Sequence, residues 1–292
     1  MKKIGWIKIA LVLIVMGVGF MGVGWLAGFR GGAMFFESGR FHVYEPTIGT
    51  TFIALEHVPE SLTINTVAVH IVIETIPAGE FGDISLINIE PELLEITETR
   101  VSIGTGRAER RTGLQFFNFR PRLTGPAALQ REIRIRLPED ADLSDAHIAS
   151  ISGRVQVSGL NAAEIEARSI SGSVTVNNSH AESLTIVSTS GTVRAEDISW
   201  QTLHAQSVSG SVHVTGEIIP SQQRASHLRS TSGSVNLTLA NTFGEFGYNA
   251  ESLSGTVRVN GENRGRSAAA RESGDDHIVT VRTTSGSVRL DF

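Results

Sequence analysis

The side chains best suited to recognition lie in one stretch: Arg107, Arg110 and Arg111 in a polar loop, then Phe116, Phe117, Phe119, Arg120 and Arg122. Arginine forks and aromatic rings together supply planar hydrogen bonding and a large apolar contact, a combination enriched at binding hot spots. A second reading has the phenylalanines covering the end of a hydrophobic core while the arginines are solvated. Catalytic groupings are sparse by comparison. No nucleophile elbow is present, and no Ser/His/acid set is marked by a local motif. The stretch Asp140, Asp142, Ser144 resembles the start of a calcium loop. It has Asp145 where the central glycine belongs and Ile151 at the twelfth position, so calcium is not expected. The chain has no cysteine, which excludes disulfides, thiol chemistry and zinc-thiolate sites.

These residues are positioned by a repeat. A Ser-Gly pair followed after one residue by valine occurs seven times, with glycines at Gly153, Gly172, Gly191, Gly210, Gly233, Gly255 and Gly286. The first four are 19 residues apart, and the later intervals are 23, 22 and 31. A fixed short period means stacked copies of one small unit. Aligned on the glycine, the positions five before it are Ile148, Ala167, Ile186, Ala205, Leu228, Ala250 and Val281, and valines follow it, so these columns point inward. Six before it lie His147, Glu166, Thr185, His204, His227, Asn249 and Thr280, and three after it lie Gln156, Thr175, Arg194, His213, Asn236, Arg258 and Arg289. These columns face water.

Alternation of period two on both sides of Ser-Gly predicts two short strands joined by a tight turn, in which glycine supplies backbone freedom. Stacked coils then bury a continuous aliphatic core, and the expected fold is an all-β, single-stack β-solenoid of about seven regular coils of ~19 residues. The repeated Ser and Thr hydroxyls are expected to bond to the turn backbone or to the next coil. Beside them, Ile151, Ile170 and Val208 share a column with Thr189 and Thr231, which breaks the regular threonine face of an ice-binding array. His204 and His227 fall in one outward column about a strand spacing apart, and two imidazoles alone make a weak metal site. Arg229, Glu251 and Arg282 on successive coils read as a charge ladder rather than a catalytic pair.

Ile9 to Phe29 is an uncharged, mostly apolar run of 21 residues after Lys2, Lys3 and Lys8. It is long enough to cross a bilayer, and the leading positive charge places the N-terminus inside. Gly31 and Ala33 also allow a cleaved leader. Gly17, Gly19 and Gly22 have the spacing of a dinucleotide fingerprint, but no strand precedes them and they fall inside the apolar run. Gly24 and Gly28 are spaced for helix pairing.

The expected organisation is thus a cytoplasmic N-terminus (1–8), a transmembrane helix (9–29), a juxtamembrane linker (30–51), an irregular β region capping the solenoid (52–145) and the regular repeats (146–292). Strands in the irregular region are expected from Leu62 to Glu74, Ile84 to Ile89, Leu94 to Ile103 and Ile133 to Leu137. The extra residues from Gly261 to Asp276 are expected in loops that leave the stack undisturbed. Residues 31–292 carry 21 Arg against 30 acidic side chains and no Lys, a net charge of −9. That balance argues against nucleic acid as a partner.

The tandem Ser-Gly-x-Val-x-Val units, the IRIRLP segment from Ile133 to Pro138 and the N-terminal apolar run together resemble the bacterial putative-adhesin family of domains of unknown function. The resemblance implies a β-solenoid of the cell envelope over roughly residues 60–292. The family often has aspartate after Ser-Gly, where this chain has Ser, Thr or Arg154, so no acidic turn surface is carried over.

The expected protein is a non-enzymatic, single-pass, extracytoplasmic adhesive or scaffolding surface without cofactors, with an envelope protein or glycan as partner. Oligomers could form through the solenoid ends or the membrane helix. An accessory or sensory part in envelope-stress signalling is the alternative reading, and a carbohydrate-active enzyme is the third.

Overall fold

The computed structural model describes residues 33–37, 40–44, 49–89, 91, 94–97, 99–104, 114–117, 131–219, 224–242, 245–271 and 277–292. The chain divides into two units, one of Met1–Thr47 with Arg111–Ala128, the other of Ile48–Arg110 with Leu129–Phe292. In the first, Ala33–Glu37 pairs antiparallel with both Arg40–Tyr44 and Leu114–Phe117. No α-helix occurs among the described residues, and none of them forms a helix long and apolar enough to cross a membrane. The run from Ile9 to Phe29 lies outside the described residues.

The second unit is built from the repeat. In the first regular coils a nine-residue strand such as Asn161–Ser169 precedes the turn and a four-residue strand such as Val174–Asn177 follows it. Equivalent strands pair in parallel and in register from coil to coil, so Ile148 faces Ala167, Ala167 faces Ile186 and Ile186 faces Ala205. The inward columns are fully buried and belong to one continuous cluster. Val193–Ser207 runs unbroken from the second strand of one coil into the first strand of the next.

The same ladder continues toward the N-terminus. Ser61–Thr66 pairs in parallel with Asp142–Ser150, and His70–Ile76 pairs in parallel with Val155–Ser158. These two strands form a coil without the Ser-Gly signature. Beyond it Arg100–Gly104, Glu132–Pro138, Asp83–Ile87 and Thr50–Ala54 extend the two faces, partly by antiparallel pairing.

The repeated glycines serve close approach, not conformational freedom. None of the seven has a positive φ. A Cβ on Gly172 would lie 1.9 Å from the carbonyl oxygen of Gly153, and one on Gly191 would lie 2.1 Å from that of Gly172. The hydroxyl residue three positions before each glycine, serine in six repeats and Thr283 in the seventh, closes the contact. Ser169 Oγ donates to Gly153 O at 3.0 Å and accepts from Gly172 N at 2.9 Å, and Ser188 and Ser207 repeat the pattern. Left-handed backbone is needed at the opposite corner, where Gly159, Asn178 and Asp197 have φ of 77°, 46° and 53°, residue types that tolerate that region.

The coils do not stack in chain order. Thr283 Oγ1 donates to Gly233 O, and Ser252 Oγ donates to Gly286 O. The seventh repeat, His277–Thr283 with Val288–Asp291, therefore lies between the fifth and the sixth. The interval expected to be loop supplies the reason. Its residues Glu262–Asn263 and Ser267–Ala270 pair antiparallel with Val257–Val259 and Gly247–Ser252, covering the outer edge of the sixth repeat and making it terminal. The expected charge ladder is reordered accordingly to Arg229, Arg282 and Glu251, with Arg282 Nε 3.5 Å from Glu251 Oε2. Phe292 closes this end edge-on against Phe246, with ring centroids 5.3 Å apart.

One buried polar chain crosses this region. Trp200 Nε1 donates to Ser226 Oγ at 3.0 Å, and Ser226 Oγ lies 2.8 Å from His277 Nε2. The serine oxygen has lone pairs for both neighbours, so the direction of its bond to Nε2 follows the imidazole tautomer, and the other ring nitrogen is Nδ1. That nitrogen has no partner among the described residues. His277 is 2% exposed, and burial pushes its pKa from 6.5 down to about 4.

Two predictions follow from these contacts, both read by urea unfolding of the full chain in detergent. Gly191→Ala should lose more than about 3 kcal/mol, because the clash is with backbone, and Ser188→Ala about 1–3 kcal/mol through the unpaired turn groups. Ser190→Ala, on the exposed serine column, should stay within about 0.5 kcal/mol. Equal losses for Ser188→Ala and Ser190→Ala would remove the serine clip from the account. For His277, the unfolded chain takes up a proton as pH falls through 6.5 while the folded chain does not until about 4. Stability present above pH 6.5 is thus lost between pH 6.5 and 4, by roughly 3 kcal/mol. His277→Gln should flatten that slope.

Candidate functional site

Of the residues singled out in the sequence, Arg107, Arg110, Arg111, Phe119, Arg120 and Arg122 lie outside the described residues. Phe116 and Phe117 belong to Leu114–Phe117, where Phe117 is in register with Met34.

The described surface offers three other places for chemistry, each set by the parallel ladder. The first is the ridge at the Ser-Gly turns. The residue two before each glycine lies outside the core, and the amide that follows it bonds to the equivalent carbonyl of the neighbouring coil, as Ser171 N does to Ile151 O and Ser190 N to Ile170 O. Stacked this way, Ile151, Ile170, Thr189, Val208, Thr231, Thr284 and Leu253 form one line of seven coils, roughly 29 Å long at six strand spacings. Its aliphatic members are unusually bare: Ile151 is 44% exposed, Ile170 51%, Val208 38% and Leu253 61%. The exposed serines Ser152, Ser171, Ser190, Ser209, Ser232, Ser285 and Ser254 run beside it. Sequence reading met this column only as a broken threonine face. Its exposure was not visible, because aliphatic residues in a strand pattern are first assigned to the core.

The second is the outward face of the longer strands, where Thr63, His147, Glu166, Thr185, His204, His227, Thr280 and Asn249 follow one another in register. His204 and His227 are neighbours, as the column spacing predicted. Burial, and then the charge of His227, hold the His204 imidazole below its usual range. His213, on the other face, is lowered by burial and then by Arg194, and its Nδ1 lies 3.0 Å from Asn236 Nδ2.

Among the described residues, one group brings three metal-ligating atoms within 4.8 Å of one another, and it is not the histidine pair. It consists of His147, Glu164 and Glu166. The calcium-like stretch is engaged otherwise. Ser144 Oγ lies 2.8 Å from Glu60 O and 3.0 Å from Asp145 Oδ1, and Asp142 opens a strand.

The third is a shallow cavity of about 330 Å³ at the N-terminal end of the stack, lined in part by Leu55, Val58, Phe81, His57, Glu80 and Asp140. Phe81 stands 81% exposed at its rim.

Three comparisons with known proteins bear on this surface. No curated protein matches the chain. Similar solved structures include a putative adhesin from Bacteroides fragilis, with 11% identity, 84% of this chain and 98% of that one covered, and a TM-score of 0.41. A putative lipid binding protein from Parabacteroides distasonis also has 11% identity, covers 84% and 98%, and has a TM-score of 0.35. A putative cell adhesion protein from Clostridium sporogenes has 10% identity, covers 85% and 99%, and has a TM-score of 0.27. Residues 82–291 match the family described as Toastrack DUF4097. That match spans the repeats and most of the irregular strands before them, and the chain belongs to this Toastrack family of domains of unknown function.

Proposed function

We propose that the protein is a non-enzymatic, adhesin-like or scaffolding surface of the bacterial cell envelope, tethered by the apolar run from Ile9 to Phe29 with its solenoid outside the cytoplasm. The observation that carries this reading is the turn ridge, a continuous line of exposed and half-exposed aliphatic and hydroxyl side chains on a parallel ladder. Contiguous exposed apolar surface marks interaction sites. Covering each bare aliphatic residue supplies roughly 1–2 kcal/mol before the costs of association. The serines and threonines beside them suit a hydroxyl-rich glycan or an extended protein edge, and the net charge of −9 on residues 31–292 disfavours polyanions. The ridge carries no carboxylate and no imidazole, so it suits binding and not proton transfer.

The full chain in detergent should bind isolated envelope material saturably. Replacing Ile151, Ile170, Val208 and Leu253 together by Ser should weaken that binding at least about tenfold with the circular dichroism unchanged. Protease added to whole cells should cleave the solenoid. Cleavage confined to spheroplasts would rule out the adhesive role, and undiminished binding by the fourfold variant would rule out the ridge.

A further inference from the structure

We propose that His147, Glu164 and Glu166, with Asp145 beside them, form a surface site for a divalent transition-metal ion of the zinc class, built across the first two Ser-Gly coils. Asp145 is in register with Glu164, and His147 is in register with Glu166. Each pair is separated by two positions from the other along its strand, so all four side chains leave the same, outward face of the sheet. The result is a two-by-two block of three carboxylates around one imidazole.

Its dimensions suit an ion. His147 Nδ1 lies 3.0 Å from Glu166 Oε2, and one ligand atom from each of His147, Glu164 and Glu166 lies within 4.8 Å of the other two. Bonds of about 2.0–2.2 Å to zinc place neighbouring nitrogen and oxygen ligands roughly 3.0–3.5 Å apart. His147 Nε2 lies 3.8 Å from Asp145 Oδ2. Asp145 is itself steadied, because Ser61 Oγ donates to its Oδ2 at 2.7 Å and Ser144 Oγ lies 3.0 Å from its Oδ1. Such outer hydrogen bonds orient carboxylates at metal sites.

Charge points the same way. Three carboxylates meet two arginines, Arg168, which pairs with Glu166 through Oε1 and leaves Oε2 to the imidazole side, and Arg100, whose charge acts on Asp145. The remaining negative charge favours a cation. Imidazole among the donors favours zinc, nickel or copper over magnesium and calcium, which prefer oxygen alone.

The fold does not require this block. The equivalent positions are Ser183 and Thr185 in the third coil and Thr202 and His204 in the fourth, with no carboxylate among them. Glu164 is exposed and contributes nothing to the core. Three or four protein ligands on an open face leave room for water or a donor from a bound partner.

The test is calorimetric titration of the full chain in detergent with zinc chloride, with calcium chloride as the comparison. One zinc per chain at micromolar or tighter affinity, and at least tenfold weaker calcium binding, is expected. Glu164→Gln and the pair His147→Gln with Glu166→Gln should each weaken zinc at least tenfold, while His204→Gln with His227→Gln should not. Thermal melts without metal check that each variant is folded, and the exposed Glu164 gives a variant with little structural cost. Absence of micromolar zinc binding, or binding that survives Glu164→Gln and the paired substitution, would overturn the site, as would its loss in the His204 and His227 variant.

Discussion

Everything in the solenoid hangs from the contact between successive turn glycines. The carbonyl oxygen of one glycine lies where the Cβ of the next would be, and a serine hydroxyl clips the two by donating to that oxygen and accepting the next amide. The clip serine is itself buried, and its one hydroxyl satisfies both backbone groups at once. Where the clip holds, the strands on either side are brought into register, and the aliphatic columns meet without further instruction. Val69 plays the glycine's part at the first coil, since its carbonyl accepts from Ser150 Oγ at 3.1 Å. A coil lacking the Ser-Gly signature can thus still receive one that has it.

The same contact explains how the seventh repeat can lie between the fifth and the sixth. Each coil presents one type of upper and lower edge, so any coil can stack on any other, and Thr283 serves Gly233 as Ser252 serves Gly286. Order is decided outside the repeat. Residues 262–270 fold back as antiparallel strands on the sixth coil, which protects its open edge and forces the chain to return inside it. An exposed parallel edge is otherwise a template for pairing with another chain.

The legible part of this architecture was the part carried by periodicity. Inward columns, outward columns and the adjacency of His204 with His227 can all be read from spacing, because a 19-residue step maps directly onto one strand spacing. What spacing cannot express is the neighbour across the turn. The glycine was therefore read as flexible when its role is the absence of a Cβ, and Glu251 was placed beside Arg229 when Arg282 separates them. Before residue 131 the signal weakens for a related reason. Arg100–Gly104 pairs with Ser61–Thr66 and Glu132–Pro138 with His70–Ile76, across long intervals without a shared motif. The aromatic and arginine segment singled out in the sequence falls there, outside the described residues apart from the backbone of Leu114–Phe117. The block around His147 was within reach, since His147 and Glu166 share a column. It was missed because its other half, Asp145 and Glu164, stands two positions further from the glycine.

A ladder of this kind imposes a rule on any chemistry it carries. A nine-residue strand such as Asp142–Ser150 offers several outward side chains, but alternate positions on one strand stand roughly 6.6 Å apart against about 4.8 Å between coils, so a compact site of three or more groups spans at least two coils. The separation between its members is then the coil spacing, set by the parallel backbone ladder that the turn clip holds in register and not by the site itself. For the block of Asp145, His147, Glu164 and Glu166, the relevant clip is Ser169 reaching Gly153. Hydroxyl and ligands lie on opposite faces of the same two strands, and parallel pairing from Asp142 to Ser150 against Asn161 to Ser169 connects them rigidly. The stack therefore supplies the preorganisation that an exposed group of carboxylates would otherwise lack. Variation on the outward columns can create or erase such a site without touching the core that positions it.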